Sequence, residues 1–178
     1  MPCSVPVDES HLPPFDVGAL EIDYGYYHGY RWLDRDRCAA DFSFGHGLGY
    51  SDFAYDVPSL EGELSQQDGE LRISVTVKNL GEQAGDETVQ LYMGCLETGV
   101  ERFVKELKGF RRVSLQPGES RDVEFRINPG DIAYFDPQAG DWQVQSGRYR
   151  VYVGKSAAEN DLLTAEFSVA DSLAMEAS

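Results

Sequence analysis

Leu71-Arg72-Ile73-Ser74-Val75-Thr76-Val77-Lys78-Asn79-Leu80-Gly81 is the stretch on which the fold turns. Its apolar residues stand two apart, and Arg72, Ser74, Thr76 and Lys78 fill the gaps. A period of two places one set of side chains on each face of an extended chain, so one face meets a core and the other meets water. Asn79-Leu80-Gly81 then reverses the chain.

The same alternation recurs on both sides of this stretch. Val89, Leu91 and Met93 alternate with Thr88, Gln90 and Tyr92, and Val123, Phe125 and Ile127 with Asp122, Glu124 and Arg126. After a turn at Ser146-Gly147, Tyr149, Val151 and Val153 alternate with Arg148, Arg150 and Tyr152, and Phe167 and Val169 close a strand around 164–169. Val104-Lys105-Glu106-Leu107-Lys108-Gly109-Phe110 opens a strand that runs to about residue 115. Its pattern sets Val104, Leu107 or Phe110 against the core and leaves Lys105, Glu106 and Lys108 in water. In the turn Leu115-Gln116-Pro117-Gly118-Glu119, Pro117 fixes φ and Gly118 permits a positive one. Phe53, Tyr55 and Val57 form one more strand, ended by Pro58. About seven strands with turn signals between them predict an all-β fold, an immunoglobulin-like β-sandwich. Each fully buried Val, Leu, Ile or Phe contributes roughly 1.5–3 kcal/mol, so such a sandwich needs no disulfide. Residues 130–140 read as an excursion between strands, and 171–178 as a tail without pattern that frays.

Composition narrows the function. The 178 residues suit one domain with an appendage, and 42% hydrophobic content is enough to bury a core. A net charge of -16 repels phosphate backbones and argues against nucleic acid. No segment has the length and apolar purity of a membrane span. Cys3, Cys38 and Cys95 are an odd set without metal-ligand spacing, and Met1-Pro2-Cys3-Ser4 leads into prolines and acids without an apolar run. Read as it stands, the chain is expected in the cytoplasm.

The first 49 residues differ from the rest. Pro2, Pro6, Pro13 and Pro14 make residues 1–22 an extended linker or strap. From Tyr24 to Tyr55 aromatic residues crowd together, interrupted by glycines. Tyr26, Tyr27, His28, Tyr30, Trp32, Phe44, His46 and Tyr50 are the candidate site residues, with two readings: a surface that docks another domain, or a platform that stacks on sugar rings. Docking is favoured because the rings follow no spacing that would gather them on one flat face. His46, framed by Gly45 and Gly47 beside Phe44, reads as a buried, hydrogen-bonded histidine.

Catalytic and cofactor signals do not emerge. Gly45-His46-Gly47-Leu48-Gly49 is glycine-rich, but a dinucleotide fingerprint opens a helix, whereas Phe53, Tyr55 and Val57 continue here as a strand. Asp86-Glu87 beside Gly85 reads as a solvated turn. Asp131, Asp136 and Asp141 could be set against calcium, yet they lack EF-hand spacing and suit Asp-closed turns. His11, His28 and His46 have no zinc-like or nucleophile-base spacing. No catalytic residue, cofactor or metal ligand is assigned.

Several stretches in order resemble one family. They are Tyr26-Tyr27-His28-Gly29-Tyr30-Arg31-Trp32-Leu33-Asp34, Phe42-Ser43-Phe44-Gly45-His46-Gly47-Leu48-Gly49-Tyr50, Val75-Thr76-Val77-Lys78-Asn79 and Gly85-Asp86-Glu87-Thr88-Val89-Gln90-Leu91-Tyr92. Lys105-Glu106-Leu107-Lys108-Gly109-Phe110, Leu115-Gln116-Pro117-Gly118-Glu119 and Gly147-Arg148-Tyr149-Arg150-Val151-Tyr152-Val153-Gly154 complete the set. Together they resemble the carboxy-terminal region of a glycoside hydrolase family 3, β-glucosidase-like enzyme; Gly49 stands where that family usually has Ser. The resemblance implies a fibronectin type III-like β-sandwich over 50–170 and, over 1–49, the end of the preceding α/β domain with its linker. It also implies that the catalytic Asp and the acid/base residue belong to other domains, so no hydrolysis is expected of these residues alone. The implied role is accessory: bracing the catalytic domains of such an enzyme, in cis or in trans, as a fragment or a separate product. Polysaccharide binding is the alternative, and self-association through 24–49 is a further expectation when that surface is uncovered.

Overall fold

Residues 3–12, 18–21, 25–64 and 68–175 are described in the computed structural model. Tyr24, Pro2, Pro13 and Pro14, named above, lie outside the described residues. In chain order the elements are β1 (Val5–Pro6), α1 (Tyr30–Asp36), β2 (Ala40–Phe42), β3 (Phe53–Tyr55), β4 (Ser59–Glu63), β5 (Glu70–Asn79), β6 (Gly85–Cys95) and β7 (Glu106–Leu115). Then follow β8 (Ser120–Ile127), α2 (Pro129–Ile132), β9 (Tyr134–Asp136), β10 (Asp141–Val144), β11 (Gly147–Gly154), β12 (Leu162–Val169) and β13 (Leu173–Ala174).

The alternating stretches become the long strands, and their apolar faces meet. One sheet has the order β12-β11-β6-β7. In the other, β5 carries β8 along one edge, and β3 and β4 successively along the opposite edge. Leu71, Ile73, Val75 and Val77 of β5 and Val123, Phe125 and Ile127 of β8 face Val89, Leu91, Met93, Tyr149, Val151 and Val153 of the first sheet. All are buried, which is the all-β sandwich expected from the period of two. The Pro117-Gly118 turn also forms as read: Gly118 has φ +74° and the Glu119 N–H donates to the Gln116 carbonyl at 3.0 Å.

Four expectations need correction. The first concerns 104–110, where the burial is reversed. Val104 and Phe110 are exposed, Leu107 is half-buried, and Lys105 is buried at 5% exposure. The cause is a bulge: Leu91 pairs with Gly109 but Tyr92 pairs with Leu107, so Lys108 is an extra residue. Directly opposed residues share a face, so Phe110 lies outside with Gln90, and Gly109 takes the inward position against Phe125.

Second, the strand expected over 53–57 stops at Tyr55, and a separate edge strand, β4, follows Pro58. Its sequence Ser59-Leu60-Glu61-Gly62-Glu63 has one large apolar residue, because an edge strand contributes little to the core. Third, the excursion at 130–140 contains ordered elements. Asn128 and Asp131 form a capping box on α2, and β9 pairs with β10 as a hairpin. Fourth, the tail does not fray within its described part. β13 pairs with β10, and the Met175 N–H donates to the Trp142 carbonyl at 2.8 Å; residues 176–178 lie outside the described residues.

Gly94, on β6, is where the chain's approach leaves no room for a side chain. A Cβ there would sit 2.0 Å from the Val104 carbonyl oxygen, a backbone atom that cannot swing aside. Gly94→Ala is therefore expected to lower the unfolding free energy by about 2–3 kcal/mol in urea titration. Gly99→Ala, with nothing within 4 Å of the added carbon, is expected to change it by less than about 0.5 kcal/mol.

Candidate functional site

On its outer face the β12-β11-β6-β7 sheet carries a second layer. A strand covered on one side alternates buried and exposed residues, but β6 is buried without a break from Val89 to Gly94. Its outward residues Gln90 and Tyr92, at 3% and 0% exposure, must therefore be covered by something other than the core. The cover is the amino-terminal arm, residues 26–46, together with the loop after β11.

The outward polar side chains of β6, Gln90 and Tyr92, are paired. The Tyr92 hydroxyl donates to Gln90 Oε1 at 2.5 Å, and Gln90 Nε2 donates to the Lys155 carbonyl at 2.5 Å. Burial pushes the Tyr92 phenol well above its usual range, so it remains a donor. Gly45, at φ +83°, lies so close to Gln90 that a Cβ would overlap the carboxamide. The Ala157 N–H donates to the Phe44 carbonyl at 2.8 Å, tying the arm to the loop.

Helix α1 supplies the rest of the cover. It starts after Gly29 and ends at Arg37, whose left-handed φ of 53° lets its N–H and that of Cys38 bond back to Asp34 and Leu33. The Tyr30 ring meets Tyr92 edge-on at 5.8 Å and Phe44 at 5.4 Å, while its hydroxyl accepts the Leu107 N–H at 3.0 Å. Asp34 Oδ1 accepts from Lys105 Nζ at 2.6 Å, with both side chains largely buried. Burial raises the Asp34 carboxyl, and the Lys105 charge pulls against that rise. Asp34 Oδ2 is buried without a hydrogen-bond partner among the described residues. Arg31 bridges to Glu106 at 3.3 Å and lies 4.1 Å over the Phe103 ring.

The candidate site residues fall into four groups. Tyr27, Tyr30 and Phe44 turn inward; Tyr27 is buried and donates to the Arg102 carbonyl at 3.2 Å. Tyr26 and Trp32 lie at the rim. One face of Tyr26 stacks on Phe103 at 4.3 Å, and Trp32 is half-buried under Arg35 at 4.4 Å. His28 and Tyr50 are exposed, Tyr50 at 98%. His46 is half-buried rather than buried, its ring 5.2 Å from Phe42 and its N–H bonded to the Ser43 carbonyl. The structure thus brings Tyr26, Tyr27, Tyr30 and Phe44 onto the sandwich and leaves His28 and Tyr50 apart from them.

Sequence reasoning missed Gln90, Tyr92, Asp34 and Lys105. One signal was present: Tyr92 and Gly94 on the supposedly wet face of a strand are the residues expected where another layer approaches. Asp86 and Glu87 lie within β6 rather than in a turn. Asp86 binds Ser114 and Arg112, and burial raises the Glu87 carboxyl despite a Thr88 N–H bonded to it. Asp131, Asp136 and Asp141 each accept a backbone N–H. Among the described residues no three His, Cys, Asp or Glu side chains gather as a metal-ligand set.

Comparison with known proteins adds the following. The family model described as fibronectin type III-like domain matches residues 87–157. The chain is 40% identical over 131 residues to the β-glucosidase BoGH3A of Bacteroides ovatus, covering 74% of this chain and 18% of the relative. It is 38% identical over 159 residues to the thermostable β-glucosidase B of Acetivibrio thermocellus, covering 86% and 21%. Among solved structures, the β-glucosidase of Kluyveromyces marxianus in complex with glucose superposes with a TM-score of 0.73 at 40% identity, over 82% of this chain and 17% of that one. The β-D-glucoside glucohydrolase of Trichoderma reesei gives 0.82 at 25% identity, over 94% and 26%. The chain spans about a fifth of the length of the curated relatives it matches.

Two outcomes follow from the geometry. Lys105→Ala leaves Asp34 without its partner and is expected to cost roughly 2–4 kcal/mol, less than a fully buried pair because the Asp34 side chain is 18% exposed. Lys105→Met combined with Asp34→Asn removes both charges, and the urea midpoint is expected to recover at least half of that loss. Glu87 sets a pH dependence. Its carboxyl binds a proton more readily in the fold than in the unfolded chain, so its contribution to stability falls as pH rises from the unfolded value of 4.5 to the raised folded one. Glu87→Gln is expected to raise the thermal midpoint at pH 7 and leave it nearly unchanged at about pH 4.

Proposed function

We propose that this chain, which belongs with the carboxy-terminal region of the family 3 glycoside hydrolases and carries their fibronectin type III-like domain, braces the catalytic domains of such an enzyme in cis. The matched region is the non-catalytic part of those enzymes. The observation that carries the bracing reading is the arm-on-sheet layer. Residues 26–46 and the sandwich share one set of buried hydrogen bonds, an ion pair and an aromatic cluster, so whatever joins the arm is held in a set orientation to the sandwich.

Exposed apolar residues support the same reading. Leu48, at 93% exposure, and Tyr50 follow the arm on a loop anchored at both ends. At one end Gly45 is wedged against Gln90; at the other the Ser51 hydroxyl donates to the Gln83 carbonyl and the Leu80 N–H to that of Asp52. Large apolar side chains displayed on a fixed loop suit a contact with another domain.

An immunoblot of the source cells, with antibody raised against this chain, tests the in-cis arrangement. A band several times heavier than 19.8 kDa is expected, whereas a band at 19.8 kDa alone overturns it. The purified chain is expected to release no aglycone from an aryl β-glucoside; turnover removed along with the chain by immunodepletion would overturn the accessory role.

A further inference from the structure

The layer that covers β6 stops short of β12, and a cleft of about 940 Å³ opens beside it. Its floor is the outer face of β11 and β12, where Tyr152 and Thr164 stand opposite each other in the ladder. One wall is the end of α1 and the turn after it, with Asp34 and Arg37; the other is the loop at 157–160, with Glu159 and Asn160. The volume falls within the range of small-molecule sites.

The lining has a definite chemistry. Two of its cations are already engaged, Lys105 by Asp34 and Arg150 by Glu166, at 2.6 Å each. The side chains of Arg37, Asn160 and Thr164 make no hydrogen bond among the described residues, so a fork of N–H donors, a carboxamide and a hydroxyl stand unused in one concavity. Three basic and two acidic side chains line the cleft of a protein whose net charge is -16, so it neither concentrates cations nor resembles a phosphate cradle. The Tyr30 and Tyr152 rings, with Ala39, Ala157 and Leu162, add apolar surface between the polar groups.

We propose that this cleft binds a neutral polyhydroxylated ligand, a short oligosaccharide. Such a molecule alternates hydroxyl groups with apolar ring faces, which matches unspent donors and acceptors interleaved with rings and methyl groups. A small apolar ligand would leave the exposed Arg37 and Asn160 side chains to water and use none of their donors, and a polyanion would meet Asp34 and Glu159. The site is distinct from the arm's aromatic residues Tyr26, Trp32 and Tyr50, and its existence does not depend on the bracing role.

Titration of the isotopically labelled chain with cellotriose, followed by amide NMR shifts, tests it. Saturable shifts confined to residues 34–40 and 150–164 are expected by about 10 mM ligand. Asn160→Ala combined with Thr164→Val is expected to weaken the apparent affinity at least about tenfold with the remaining spectrum intact. If that pair perturbs folding, Arg37→Gln carries the same expectation. No shifts, shifts centred on the exposed Trp142 instead, or affinity unchanged in the folded variants would overturn the proposal.

Discussion

Everything beyond the sandwich itself depends on the dry outer face of β6. Gln90 and Tyr92 are too polar to be left against apolar cover without partners, and each finds one: Gln90 on the Lys155 carbonyl, Tyr92 on Gln90. Those bonds set the loop after β11, and that loop in turn receives the arm through Ala157 and Phe44. Tyr30 then closes over Tyr92, and Lys105 reaches Asp34. Removing the pairing at Gln90 would leave buried polar atoms unsatisfied at the centre of the second layer.

This arrangement separates two kinds of stabilisation. Between the sheets the contribution is apolar area, spread over Leu71 to Val77, Val89 to Met93 and their partners, and no single contact dominates. Between arm and sheet it is a small number of polar and aromatic contacts, where the loss of one partner strands another. Such an interface holds an orientation more than it holds a fold. That is the physical property an accessory domain requires if it is to keep other domains in place.

The cleft beside β12 results from the same geometry. The arm covers β6 and ends its helix at Arg37, so the outer faces of β11 and β12 remain open beyond it. A wall of α1, a floor of two strands and a loop pinned by Asp161 and Ser156 make a concavity whose polar side chains are not consumed by the fold.

Much of this was legible along the chain. The alternation in Leu71–Val77, Val89–Met93, Val123–Ile127 and Tyr149–Val153 determined the strands, and with them the sandwich, because a period of two is a local property of each stretch. Within the aromatic-rich stretch from Tyr24 to Tyr55, the aromatic residues from Tyr26 to Phe44 lie in the arm. Tertiary structure alone decided which face those residues meet. The bulge at Lys108 inverts the expected burial of Val104, Lys105 and Phe110, and whether a bulge forms depends on the partner strand. Lys105 is buried because Asp34, 71 residues earlier, lies beside it. The cleft, likewise, joins residues from Ser4 to Thr164, which no local pattern relates. Sequence determines the period of each segment; only packing determines what covers its second face.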